Sequence, residues 1–72
     1  MGLIQRMIRI NGQGAPLSAA TLAELLAQHG VEPDGKGVAV AVNGQVVRRQ
    51  AWADTRLSAG DDVEIVRVRQ GG

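Results

Sequence analysis

The residues with the plainest chemical potential are the last two, Gly71 and Gly72. A free α-carboxyl at such an end titrates near ~3.5, so at neutral pH it is an anion whose oxygen can attack an activating phosphate. Glycine has no Cβ, so two in a row give an unhindered carbonyl and a free choice of φ, as threading into a narrow channel requires. Small polar ends are also common without any role. The other candidates for chemistry carry less. His29 is the single histidine, with no Cys, Asp or Glu at ligand spacing. It reads as a residue that a helix C-terminus favours through its dipole, not as a catalyst or metal ligand. Gly35, Lys36 and Gly37 lack the spacing, the Ser/Thr and the following helix of a phosphate loop, so no nucleotide site is expected there.

A reactive tail needs a body to present it, and the composition limits what that body is. Seventy-two residues make one domain with a small core and little room for an internal cavity, so chemistry belongs at the surface. The net charge is +1. Its basic residues (among them Arg6, Arg9, Arg48, Arg49, Arg67 and Arg69) are scattered, with Asp61, Asp62 and Glu64 interspersed, which is no nucleic-acid footprint. The absence of cysteine excludes a disulfide framework, a thiolate nucleophile and a zinc cluster. It fits a reducing compartment, and the cytoplasm is the expected location. The longest apolar run, Val38 to Val42, is far short of the ~20 residues that span a bilayer, so no membrane partner is expected.

The elements follow from local pattern. Residues 1–6 read as an N-terminal extension, 7–68 as the folded domain and 69–72 as a flexible tail. Met7 to Ile10 alternates with period two, placing Ile8 and Ile10 on one face and Met7 and Arg9 on the other. Asn11-Gly12 predicts a tight hairpin, with Gly14 to Ser18 returning as a short strand that Pro16 confines to a sheet edge. Thr21 and Glu24 form a capping-box pattern that opens a helix. Leu22, Leu25, Leu26 and His29 share one of its faces, and Gly30 is placed to end it. Pro33, Asp34 and Gly35 make a loop. Val38 to Val42 is apolar on both faces and is expected to be a central, covered strand whose alanines allow close approach. Asn43-Gly44 predicts a second hairpin returning through Gln45 to Val47. Trp52 is expected to plug one end of the core from a single helical turn. After a turn at Ser58 to Asp61, Val63 and Ile65 alternate with Asp62, Glu64 and Val66 in a last strand that runs into the tail.

Hairpin, helix, hairpin, short turn and last strand together predict an α+β fold, a ubiquitin-like β-grasp. The sheet is expected to be mixed, with about four to five strands, one main helix packed across it, and the first and last strands parallel at its centre. In this order the residues resemble the ThiS family of sulfur carriers of thiamine thiazole biosynthesis. The resemblance rests on Met7, Ile8, Arg9, Ile10, Asn11, Gly12; on Thr21 to Leu26; on Val40 to Gly44; on Val47 to Arg49 and Trp52 to Leu57; and on Gly60, Asp61, Val63 to Val66, Gly71 and Gly72. The chain departs from the pattern at Arg48, where such carriers often have proline, and at Gln70, where a further small residue is common.

The resemblance implies a carrier acted on by partner enzymes and not itself an enzyme. A ThiF-like adenylating enzyme would use Mg-ATP to activate the Gly72 carboxylate, and no cofactor would be bound by the chain itself. A persulfide sulfur donor would convert the adenylate to a thiocarboxylate, which would give its sulfur to a ThiG-like thiazole synthase. Gly71 and Gln70 would thread into the partner's channel. The exposed side of the sheet beside the last strand is the expected docking surface, with Val66 and Val68 as contacts and Arg67 and Arg69 steering toward acidic groups. Two other readings share the fold: the small subunit of molybdopterin synthase, which uses the same thiocarboxylate chemistry, and a ubiquitin-like modifier or interaction domain.

Overall fold

Two Asn-Gly turns and one capping box place most of the chain. A computed structural model describes residues 6–68. Among them are five strands, β1 (Met7–Ile10), β2 (Gln13–Pro16), β3 (Val38–Val42), β4 (Gln45–Val46) and β5 (Asp62–Arg67). One α-helix, α1 (Leu22–Gln28), lies between β2 and β3, and a 3-10 helix, Arg49–Asp54, precedes β5. The sheet order is β2-β1-β5-β3-β4. β1 and β5 run parallel at its centre, and the other neighbours are antiparallel. The parallel central pair and the edge position of the Pro16 strand match the sequence reading. β2 begins at Gln13 and ends at Pro16, earlier at both ends than expected.

α1 starts where the Thr21–Glu24 pattern says it should. The Glu24 amide donates to the Thr21 hydroxyl at 3.3 Å, and the Glu24 carboxylate accepts from the Thr21 and Ala20 amides at 3.2 and 2.8 Å. Its end is a Schellman closure. Gly30 takes φ +79°, the Gly30 amide bonds the Ala27 carbonyl, and the Val31 amide bonds that of Leu26. The turn swings Val31 into the core and leaves His29 exposed. The buried stripe of α1 is therefore Leu22, Leu25 and Leu26, completed by Val31 where the 3.6-residue pattern had placed His29.

These side chains pack on Ile8, Val40 and Val63 from the sheet, with Trp52 and Leu57 closing the margin. Trp52 is buried and its indole N–H donates to the Val47 carbonyl at 2.9 Å, so a bulky apolar ring is sealed without orphaning its one polar group. It sits on a six-residue 3-10 helix, longer than a single turn. Gly35 makes room for it. At φ +67°, a Cβ there would lie 2.9 Å from the Trp52 ring.

One expectation is corrected. β3 is not the covered centre of the sheet. That place belongs to β5, flanked by β1 and β3. Ala39 is exposed and Ala41 only half-buried, because α1 covers one face of the sheet and the alanines point to the other. The small side chains leave a shallow hollow in an open surface.

Candidate functional site

β5 is the last described strand before residues 69–72, and its contacts are the part of the candidate site that the structure describes. Both Asn-Gly turns contribute to it beyond their hairpins. Asn11 and Asn43 sit at φ +52°, and each points its amide at β5. Asn11 accepts from the Ile65 amide at 2.8 Å and donates to the Ile65 carbonyl at 3.2 Å. Asn43 accepts from the Asp62 amide at 3.0 Å and donates to the Asp61 carboxylate at 3.1 Å. The backbone ladder between β1 and β5 is short: the Arg9 amide bonds the Asp61 carbonyl, and the Asn11 amide bonds that of Val63. The Asn11 side chain adds the next rung, acting as a substitute peptide group. β5 is thus held from both neighbours by amide side chains as well as by backbone.

Alternation along β5 sorts the remaining candidates onto two faces. Val63 and Ile65 face α1. Arg67 follows them: its guanidinium donates to the His29 carbonyl, at the end of α1, at 2.7 Å. Together with Gln28 and Asn11 it lines an open groove of about 580 Å³ between the helix end and the sheet. On the opposite face, Val66 pairs across the strands with Ala39, and Ala41 lies between Val46 and Glu64. These residues line a shallow hollow of about 150 Å³. Val66 is 55% exposed, and Val46 on the adjoining edge strand is 77% exposed. Val68, one residue beyond the strand, is exposed as well. These side chains form an open, mostly apolar patch beside the charged Glu64.

The structure thus brings Val66 and Val68 to accessible positions at the end of β5 and just beyond it, whereas Arg67 is turned the other way and bonded within the chain. Arg69, Gln70, Gly71 and Gly72 lie outside the described residues. Sequence reasoning named neither Val46 nor the two alanines as surface contacts. The available signal was the count of helices: one helix of seven residues can cover one sheet face, so any strand apolar on both faces must show one of them. Among the described residues no group of His, Cys, Asp or Glu is arranged to hold a metal, and no helix is long and apolar enough to cross a membrane.

A mixed five-stranded sheet with parallel first and last strands at its centre and one helix across it defines a ubiquitin-like β-grasp protein. The sequence profile of the ThiS family matches residues 8–72, and the chain belongs to that family. It is 42% identical over 66 residues to the sulfur carrier protein ThiS of Thermus thermophilus, covering 92% of this chain and all of that one. Among solved structures it is similar to the crystal structure of a thiamine biosynthesis protein (ThiS) from Geobacter metallireducens. That match has 30% identity and a TM-score of 0.74, and covers 92% of this chain and 99% of the other. An NMR solution structure of a thiamine biosynthesis protein from the same organism matches with the same identity and TM-score, over 87% of its length.

Proposed function

We propose that this chain is a sulfur carrier of thiamine biosynthesis, a co-substrate of partner enzymes whose own reacting group is the Gly72 carboxylate. The observation that carries the reading is the family match, which runs through Gly72 and accompanies a full-length relative named as a sulfur carrier. The same names favour the thiamine branch over the molybdopterin one.

In this scheme an adenylating partner binds Mg-ATP, and the Gly72 carboxylate oxygen attacks the α-phosphorus with loss of pyrophosphate. A persulfide sulfur then attacks the acyl carbon and AMP leaves. A thiol cleaves the resulting S–S bond to free the thiocarboxylate, which passes its sulfur to a thiazole synthase. With no cysteine in the chain, the transferred sulfur has no competing thiol on the carrier. Docking falls on the open face: the hollow around Ala39, Ala41, Val46 and Val66 lies beside the strand that leads to the tail. About 13 Å separates Val68 from an extended Gly72, enough to enter a partner's site.

Intact mass after incubation with Mg-ATP, an adenylating enzyme and a sulfur source tests the reading. Exchange of one oxygen for sulfur is expected in the whole chain and not in a chain lacking Gly72. An unchanged mass, with the same enzymes active on another carrier, would sink it.

A further inference from the structure

Val68 is the last described residue before the proposed reacting end, and two contacts hold the chain there. The Val68 amide donates to the Gly37 carbonyl at 2.6 Å. One residue earlier, Arg67 donates to the His29 carbonyl at 2.7 Å. The second bond is the less expected one. An arginine on an exposed strand end gains rotamer freedom in water and loses it when fixed. Here it is fixed on a helix-end carbonyl, where backbone acceptors lack intrahelical partners and the negative end of the helix dipole favours a cation. A charge-assisted bond to such an acceptor is among the stronger ones available to a surface side chain.

Resting on the carrier reading above, we propose that Arg67 is a positioning residue. By fastening the end of β5 to the last turn of α1, it sets the direction in which the chain departs toward Gly72. Drawn out in a partner's channel, four residues would span about 13 Å, so a swing of roughly 30° at their root would move the far end by about 7 Å. Misplacement of a reacting atom by about 1 Å is enough to slow a reaction. The docking face lies on the other side of the sheet, so loss of Arg67 leaves docking in place and lowers the fraction of docked complexes in which the carboxylate is seated. The prediction is a fall in kcat with KM unchanged. An arginine that merely steered the carrier toward an acidic partner would act on KM instead, with strong salt dependence.

Two measurements on the whole chain decide it. Hydrogen exchange of the Val68 amide in Arg67→Ala is expected to quicken about fivefold, the factor that accompanies loss of roughly 1 kcal/mol of local restraint. Adenylation of the same variant by the partner enzyme is expected to show a kcat about fivefold lower at unchanged KM, and Arg67→Lys, which keeps a charged donor, recovers part of both effects. Unchanged Val68 exchange in a folded Arg67→Ala chain overturns the proposal whatever the kinetics. So does quickened exchange with wild-type kcat, or a defect confined to KM. If the wild-type chain is never adenylated by an enzyme active on another carrier, the carrier reading fails, and unquickened exchange is then the separate result that removes the Arg67 clamp.

Discussion

The two faces of the sheet are built from similar residues for opposite ends. Toward α1, Ile8, Val40 and Val63 are buried under Leu22, Leu25 and Leu26. On the other side, the same strands present Ala39, Ala41 and Val66 to solvent, joined by Val46 of the edge strand. Valine thus serves in the core on one face, at Val40 and Val63, and stands exposed on the other, at Val46 and Val66. Strand alternation separates the two environments, since the neighbours Ile65 and Val66, both β-branched, point to opposite faces. The difference teaches that, within a single strand, a substitution on one face removes buried packing and a substitution on the other does not, so the proposed docking can be tested apart from stability.

The sharpest way to break the comparison is from the closed face. Leu25 is 1% exposed, and truncation to alanine costs the transferred apolar surface plus a cavity, about 2–5 kcal/mol. A domain of 72 residues has only roughly 4–11 kcal/mol in all. Chemical denaturation of Leu25→Ala should therefore show a loss of up to half the stability or an unfolded chain, with any carrier activity falling in step with the folded fraction. A wild-type midpoint would contradict the core assignment.

Gly35→Ala tests the margin of the closed face. The substitution puts a Cβ at φ +67° and within 2.9 Å of Trp52. Left-handed backbone costs a residue with a Cβ about 1–2 kcal/mol, and overpacking adds about 1 more. Trp52 is the single tryptophan, so its fluorescence reports the displacement directly. An unaltered emission spectrum with a lost midpoint would place the strain in the loop and not at the ring.

Asn11→Asp probes the strand that both faces share. Aspartate tolerates the φ of +52° and retains an acceptor for the Ile65 amide, but it loses the donor to the Ile65 carbonyl and sets a carboxylate oxygen against it. The expected cost is about 1–2 kcal/mol. If the hairpin φ were all that Asn11 contributed, the change would be neutral.

These three sites differ in how far the sequence disclosed them. The leucine stripe, the capping box and both hairpins were legible because each is written in residues within a few positions of one another. The parallel placement of β1 and β5 followed from topology, since a helix between two hairpins returns the chain to the middle of the sheet. The Asn11 amide bond joins positions 54 residues apart, and no local pattern encodes such a pair. The alternating Val-Ala run of β3 suggested cover on both faces because alanine reads as apolar, yet a hydrophobicity pattern does not state how many layers are present to supply the cover. The bond between Arg67 and His29 was hidden for a related reason. Alternation gives the face of Arg67, but only the packed fold shows that the end of a helix lies beneath it.

The smallest expected effect on stability belongs to the open face, and it sharpens the contrast most. Val66 is 55% exposed, so replacing it with aspartate removes little buried surface. The remaining cost is the poor strand propensity of aspartate and its proximity to Glu64, together under about 1 kcal/mol. Intact fold, normal Val68 exchange and a raised KM for adenylation are the expected outcome, because a charge would then sit in the hollow that the partner is proposed to fill. That is the converse of the Arg67→Ala signature, in which kcat falls and KM holds. A Val66→Asp chain adenylated with wild-type KM would move docking off this face, and the exposed valines would then be ordinary surface residues of the strand.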